Sequence, residues 1–542
     1  MRRHHKLHEP DAKQPKIFMG SFNAQHALAC LYEFIVADQQ ALTLVESKSF
    51  LDFVHSLQPG FTPPKADAVR SKLLKDLDAK KAALKTYFSG LDSRIAITSD
   101  AWTAGNGDHY LCITAHWIDS AFRSQFLLLD FAEFPSPHTA ANAFELIWEC
   151  VSSWGIEKKL CASVTDNTTS SYNVSGLLAR CTSPRPLAHL RCRAHVLQLA
   201  VKDALADSST SEVLEAVRKL CNKVRRSAPM QDSLQQACKV FNIKYTRPLR
   251  DMEVRWNSTY DMISKLLPMR AAITYLQQPQ QNNNDFRTLA FPASTWEDLE
   301  ELELLLEPFK QATIWVQGRD YITLSMIAEM HDVLVKSVAA MEDSLSTTFG
   351  RRLALALSNA LEERKEWIME DPYTQWAAML DPTIKTRLLC NASQPVQIQQ
   401  GLVEHLDTHY PASQTSVASQ SASKTHKGFA ERIRQLHGQG DSSQRTASQQ
   451  LAKYLSEPVM ESESTQPLDF WKLYLKTYPS LTSLARDIFA MPATTAASES
   501  TFSRSKLLLT DRRLRMTGTT TTAMMLLDNW HHRYPIIFAP SS

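Results

Sequence analysis

Two aspartates end short apolar runs that are typical of β-strands. Asp100 ends the β-branched run that begins at Arg94, and Asp166 ends the run that begins at Lys159. On adjacent strands the two carboxylates would repel each other, and Mg²⁺ or Mn²⁺ would relieve the repulsion because hard cations take carboxylate oxygens. With a third acid, two ions could flank a phosphodiester bond. The alternative, that each aspartate is only a turn residue or a helix cap, stays open.

The elements around these aspartates predict a mixed sheet. Alternating and β-branched patterns predict strands, and apolar residues three and four apart predict a helix. In chain order these are strand 94–100, strand 109–119, strand 124–134, helix 141–156 and strand 159–167. Three antiparallel strands and a helical crossover make the first and fourth strands parallel neighbours, and functional groups collect beyond the carboxyl ends of such strands. Asp100 and Asp166 should therefore lie side by side.

Outside this stretch the pattern is mostly helical. Residues 21–88 have helical spacing with a break at Pro63-Pro64, and residues 205–400 are almost entirely helical apart from a polar loop at 277–285. Residues 411–450 are rich in Ser and Gln, which predicts a mobile linker. The basic, His-rich start of the chain predicts a disordered tail without the apolar stretch of a secretory signal.

Composition excludes several classes of protein. The chain has 542 residues, of which 44% are apolar, so it can bury a substantial core. No apolar run approaches ~18 residues, which argues against a membrane span. The nine cysteines never form C-x-x-C, which suits a reducing compartment and argues against a disulfide framework and a structural zinc site. No glycine-rich nucleotide-binding motif is present among the 14 glycines.

The net charge of +2 conceals local excesses of positive charge. Residues 185–266 hold fifteen Lys and Arg against eight Asp and Glu, and residues 504–515 hold five against one. Such clusters indicate surfaces for a polyanion, although solvated helix faces give the same pattern.

Six segments, in order across about residues 90–535, resemble the hAT family of DNA transposases. They are SRIAITSDAWTAGNGDHYLCITAHWID, VTDNTTSSYN, HLRCRAHVLQLAV, DMEVRWNSTYDMI, WEDLEELELLLEPFKQAT, and the C-terminal LDFWKLY with YPSLTSLARDIFAMPATTAASESTFS. Each segment alone is a weak signal. Together and in this order they are specific.

The resemblance implies an α/β plus α fold, with an RNase H-like mixed sheet split by a large helical insertion. It assigns Asp100, Asp166 and Glu499 as the catalytic, metal-binding triad for two Mg²⁺ or Mn²⁺ ions, although Glu499 follows Asp166 by 333 residues. The implied division of the chain is a basic tail (1–20), a helical N-terminal region (21–90), the first part of the core (91–205), a helical insertion (206–410), a linker (411–450), and a C-terminal dimerisation region with the last part of the core (451–535).

The resemblance also implies contacts with DNA. Trp256 corresponds to a family tryptophan that stacks on a flipped base, and Arg255 beside it would contact phosphate or support the structure. Arg191 and His195 belong to an element near the active site and DNA. From residue type alone, the favoured interpretation of Trp256 is a core residue. Cys192 and His195 could be half of a zinc site, but a packed Cys with a hydrogen-bonded His is the favoured interpretation.

The resulting prediction is a hAT-type DNA transposase that cleaves and joins transposon ends and target DNA. It would act in the nucleus as a homodimer or higher homo-oligomer through its C-terminal region. Many family members begin with a BED zinc finger, and no such finger is recognisable here, which puts sequence-specific end recognition in doubt. The alternative function is that of a domesticated or degenerate transposase, a dimeric DNA-binding or interaction protein without catalysis.

Overall fold

The computed structural model describes most of the chain. The described residues are 22–105, 107–182, 184–252, 255–281, 283–319, 321–365, 367, 371–387, 395–411, 446–461, 466–508 and 517–537. The predicted tail at 1–20 lies outside them, as does most of the predicted linker. The end of that linker is ordered, because a helix begins at Ala447.

Five strands form one mixed sheet. They are β1 (Ile95–Thr103), β2 (His109–Ile118), β3 (Ser124–Glu133), β4 (Leu160–Thr165) and β5 (Ala188–Arg191). The order across the sheet is β3-β2-β1-β4-β5, with β1 antiparallel to β2 and parallel to β4, and β4 parallel to β5. The predicted order and the parallel pairing of the first and fourth strands are confirmed. The short strand β5 was not predicted.

Helices account for most of the remaining described residues. They are α1 (Ala24–Ala37), α2 (Lys48–Leu57), α3 (Ala66–Ser89), α4 (Ala140–Trp154), α5 (Thr169–Thr182), α6 (Arg193–Ala204), α7 (Ser208–Arg226), α8 (Ala228–Val240), α9 (Trp256–Leu266), α10 (Arg270–Gln277), α11 (Asn284–Arg287), α12 (Ala293–Val316), α13 (Ile327–Glu342), α14 (Thr348–Glu363), α15 (Pro372–Leu380), α16 (Pro395–His409), α17 (Ala447–Ser456), α18 (Pro467–Leu473), α19 (Pro479–Phe489), α20 (Ala496–Leu508) and α21 (Gly518–Ile537).

Most of the helical predictions agree with these bounds, and Pro63-Pro64 lies between α2 and α3. The prediction that residues 205–400 are almost entirely helical is too broad, because the described residues 241–252 between α8 and α9 are not helical. The predicted loop at 277–285 is partly wrong. It contains the short 3₁₀ helix Pro279–Gln281 and the start of α11, which the side chain of Asn283 caps. The α/β plus α fold class is confirmed. None of the described helices is long and apolar enough to cross a lipid bilayer.

Helices cover both faces of the sheet, so β4 is buried along its whole length. One face, with Ala162 and Leu190, shares an apolar cluster with the helices that follow β5. The opposite face, with Ile97 and Leu128, packs against the N-terminal helices, α4, α20 and α21. The sheet is therefore formed by residues 95–191 and packed between two helical layers, one of which contains helices from both ends of the chain.

Helix α21 closes the outer edge of β3. The backbone N–H of Leu128 donates to Asn529 Oδ1 at 3.0 Å, and the backbone carbonyl of Leu128 accepts from Trp530 Nε1 at 2.8 Å. An open strand edge is a template for unwanted pairing with other chains. The C-terminal helix removes that edge by using side chains in place of another strand.

His116 on β2 makes the stability of the fold depend on pH. Burial, with the cations Arg319 and Arg533 nearby, lowers the pKa of His116 to about 3. An unfolded histidine has a pKa of about 6.5, so below that pH the unfolded chain binds one more proton than the folded chain, and stability falls as pH falls from 6.5 towards 3. We expect His116→Gln to flatten this loss by up to ~1.4 kcal/mol per pH unit. Melting temperatures at pH 7 and pH 5, recorded for the wild type and the variant, measure this slope of stability with pH. The exposed His55→Gln should keep the wild-type slope, and an unchanged slope in His116→Gln would contradict the prediction.

Candidate active site

Asp100 and Asp166 lie level with each other on neighbouring strands. Strand β1 pairs in parallel with β4, with Thr98 opposite Val164, and each aspartate follows two residues further along its own strand direction. Both side chains are half-buried. Asp166 directly follows the last residue of β4, whereas β1 continues to Thr103, so the prediction that Asp100 ends its strand is wrong by three residues. The topology thus brings together two acids that are 66 residues apart in sequence, as predicted.

Local hydrogen bonds hold the side chain of Asp166 in one orientation. Its Oδ1 accepts from Thr168 N at 3.3 Å and from Thr168 Oγ1 at 2.9 Å, and it also accepts from Ser171 Oγ. This is the capping arrangement that spacing alone left open, and it leaves the second carboxylate oxygen for another partner. Beside it, the buried side-chain amide of Asn167 has no hydrogen-bond partner on either atom.

Glu499 reaches the same edge from the first turn of α20. The residue before it, Ser498, lies 3.2 Å from Thr98 in a hydrogen bond between hydroxyl groups, which fixes the start of α20 against β1. Burial raises the pKa of Asp100 to about 7; the cation His195 opposes the rise, and the charges of Asp166 and Glu499 add to it. The charges of Asp166 and Glu499 therefore both act on Asp100.

Cys192 and His195 form a hydrogen-bonded pair beside these acids. The hydrogen bond to Cys192 raises the pKa of His195 to about 9 against the effect of burial, with further contributions from Asp100 and Glu499. Burial opposes ionisation of Cys192, but the hydrogen bond from His195 lowers the pKa of the thiol below its ordinary value. Thr495 also donates to the sulfur through its N–H at 3.4 Å and its hydroxyl at 3.5 Å. The prediction of a packed Cys with a hydrogen-bonded His is confirmed.

Arg191 ends β5 opposite Thr165, one residue before Asp166. Its guanidinium carbon lies 4.6 Å from the centroid of the Trp367 ring. The sequence placed Arg191 among the DNA contacts, and the structure puts it beside the acids. The sequence analysis did not identify Trp367. The one feature of the sequence that could have pointed to it is an aromatic residue among mostly charged neighbours.

Arg255 and Trp256 occupy a different environment. Arg255 is exposed. Trp256 begins α9 and is only 2% exposed, packed in the apolar cluster of the helical insertion. A base cannot stack on a ring whose faces are covered by core side chains. The core interpretation therefore describes Trp256 in this structure, and its stacking role would require the ring to become exposed.

The donor set at this edge fits a hard divalent cation by its chemistry. Three carboxylates converge, and their mutual repulsion contributes to the raised pKa of Asp100. Within the described ranges, however, no three His, Cys, Asp or Glu side chains are gathered tightly enough to enclose a metal ion. A metal site formed by Asp100, Asp166 and Glu499 thus stays a prediction.

A mixed sheet of this order, with acids from β1, β4 and a late helix at one edge, belongs to the RNase-like class of folds. Comparison with known families agrees: the ZBED1 RNase-like domain matches residues 98–189, and the ZBED1 RNase-like helical domain matches residues 190–304. The hAT family C-terminal dimerisation region matches residues 450–531. The chain belongs to the hAT family of transposases and their relatives.

Curated relatives match along most of the chain. The "Putative AC transposase" of Zea mays is 26% identical over 537 residues, which cover 93% of this chain and 65% of the relative. Zinc finger BED domain-containing protein RICESLEEPER 2 of Oryza sativa subsp. japonica is 24% identical over 88% of this chain and 70% of the relative. Zinc finger BED domain-containing protein 4 of Homo sapiens is 23% identical over 88% of this chain and 41% of the relative. This chain spans 65% of the length of the maize relative, so whole-protein activity, substrates and partners are matters of proposal.

Proposed function

We propose that this chain carries the catalytic region of a hAT-type DNA transposase, which cleaves phosphodiester bonds with divalent metal ions and transfers DNA strands as a homo-oligomer. The observation that supports this most directly is the place of the three acids: Asp100 and Asp166 lie level on neighbouring parallel strands, and Glu499 in the first turn of α20 is near enough to raise the pKa of Asp100. Gathering three acids in one half-buried place is unfavourable for stability, and such arrangements are concentrated at functional sites.

Asp100, Asp166 and Glu499 would hold the metal, and we expect two Mg²⁺ or Mn²⁺ ions. When bound, the ions would stabilise the charge on the attacking and leaving oxygens of an in-line displacement. No structural zinc is proposed, because Cys192 is the partner of His195 and not a member of a ligand cluster in the described residues.

The polar residues around the acids have roles that follow from their contacts. Thr168 and Ser171 orient the carboxylate of Asp166. His195 places a positive charge beside the acids, since the pair with Cys192 holds the imidazole protonated up to a pH of about 9. Protonated His195 and the always charged Arg191 suit the phosphates of a strand that approaches the acids.

DNA is the proposed substrate, both as transposon ends and as target. The local positive excess of residues 185–266 supports contact with a polyanion. The match of residues 450–531 to a dimerisation region supports self-assembly into a homodimer or higher oligomer. A nuclear location follows from the DNA substrate and is part of the same proposal.

Cleavage of DNA by the purified protein tests the proposal. Duplex DNA carrying the terminal sequences that flank the gene would be incubated with the protein in Mg²⁺, in Mn²⁺ and in EDTA. We expect nicked and joined products only with metal, and none from Glu499→Gln. If the protein binds this DNA and never nicks it in either metal, the dimeric DNA-binding protein without catalysis is the better description.

A further inference from the structure

Two exposed aromatic rings contact side chains of β5, the strand that pairs with β4 just before Asp166. Tyr172 on α5 is 60% exposed, and its ring stands edge-on to His189 with 5.3 Å between ring centroids. Trp367 is 37% exposed and faces the guanidinium of Arg191. His189 and Arg191 are two residues apart on a strand, so they project from the same face of the sheet.

Tyr172 is close to Asp166 along the chain, and Trp367 is close to it across the sheet. Ser171, whose hydroxyl donates to Asp166, immediately precedes Tyr172. Arg191 pairs with Thr165, the residue before Asp166, and its guanidinium packs against the ring of Trp367. Because His189 and Arg191 share one face of β5, the two aromatic rings lie along that face, beside the end of β4 where the proposed chemistry takes place.

The supports beneath the rings are held in place. His189 Nε2 is hydrogen-bonded to Thr165 Oγ1 at 3.2 Å, and burial together with the charge of Arg191 lowers the pKa of His189. The backbone carbonyl of Trp367 accepts a hydrogen bond from the buried Arg193. Exposed rings on fixed supports lose little conformational freedom when a ligand stacks on them.

We propose that Tyr172 and Trp367 form a stacking platform for unpaired bases of single-stranded DNA beside Asp166, with Arg191 supplying the positive charge for the adjoining phosphate. Every base offers a π face to an aromatic ring, so this platform is tolerant of sequence and selective for strands whose bases are free. The inference rests on the proposed DNA substrate. It gives the site a way to hold a strand that has left the duplex, which the buried Trp256 does not offer in this structure.

Binding measured without cleavage tests the platform. Fluorescence anisotropy of a labelled 12-nucleotide single strand and of the matching duplex would be recorded in EDTA for the full chain. We expect Tyr172→Ala and Trp367→Ala each to weaken single-strand binding about tenfold and duplex binding less than about twofold, in line with the usual contribution of one stacked base. Tyr172→Phe and Trp367→Phe keep a ring and should retain most of the affinity.

Phe53→Ala is the matched control, because Phe53 is 58% exposed on α2, outside the sheet edge. Equal losses for single strand and duplex, or unchanged single-strand affinity in both alanine variants, would overturn the platform. Melting temperatures verify that each variant is folded. Nicking in Mg²⁺ is scored separately, so a protein that nicks DNA while its alanine variants keep single-strand affinity refutes only the platform. A protein that shows ring-dependent single-strand binding and never nicks refutes only the proposed chemistry.

Discussion

Asp166→Asn is expected to lower the rate of DNA nicking by about 10³-fold or more, the size of effect seen when one member of a catalytic group is removed. Asparagine has nearly the shape of aspartate and keeps an oxygen that can accept from Thr168 and Ser171. The substitution therefore removes the negative charge while it retains the capping hydrogen bonds. A loss of nicking with unchanged melting temperature and unchanged DNA affinity would assign the effect to the charge.

Two further variants sharpen this result. Asp166→Ala removes both the charge and the cap, so its melting temperature should fall while its nicking rate matches that of Asp166→Asn. Asp130→Asn is the matched control, because Asp130 is also a half-buried sheet aspartate but lies on β3, two strands away from β1. Wild-type nicking in Asp166→Asn, or an equal loss in Asp130→Asn, would remove Asp166 from the proposed triad.

Asp371→Asn is expected to destabilise the fold by about 3–5 kcal/mol, because it leaves a buried positive charge without its counter-ion. Arg193 is buried, its pKa is lowered by burial, and its guanidinium contacts Asp371 Oδ2 at 3.2 Å. Asparagine can still accept from the N–H of Thr374 and cap α15. The change in the free energy of unfolding therefore measures the loss of the charge more than the loss of the cap. Urea denaturation followed by circular dichroism would measure it.

The exposed pair of Lys48 and Asp52 provides the comparison. Asp52→Asn should change the free energy of unfolding by less than about 1 kcal/mol, since a solvated ion pair contributes little. Similar midpoints of denaturation for Asp371→Asn and Asp52→Asn would show that groups other than Asp371 compensate the charge of Arg193. The difference matters for the site because the backbone N–H of Arg193 also donates to the carbonyl of Ala493 at 2.9 Å, just before the helix that carries Glu499.

The sheet was predictable because each of its long strands has a local pattern. The runs that became β1 to β4 alternate or are β-branched, and their order allows few topologies. Strand β5 has only the four residues AHLR, and α6 begins after the single residue Cys192, so the strand carries no period that distinguishes it from the helix that follows. Two acids at strand ends could be placed side by side on that basis alone.

The rest of the site depends on contacts between distant parts of the chain. Glu499 has no local signal in AASESTFS, and only the family resemblance pointed to it. Arg193 is buried because Asp371, 178 residues later, compensates its charge. The burial of Trp256 reverses what the charge of the neighbouring Arg255 suggests. Residue type and spacing do not determine which face of a helix another domain covers.

The hydrogen bond between Ser498 and Thr98 spans 400 residues and has a consequence for the newly made protein. A ribosome adds about 5–20 residues per second, so Glu499 emerges roughly 20–60 seconds after Asp166. Until then a nascent chain has two carboxylates and lacks the third. A chain that terminates early, for example at a premature stop codon, likewise lacks it. The three acids can therefore come together only after the chain has been synthesised through Glu499.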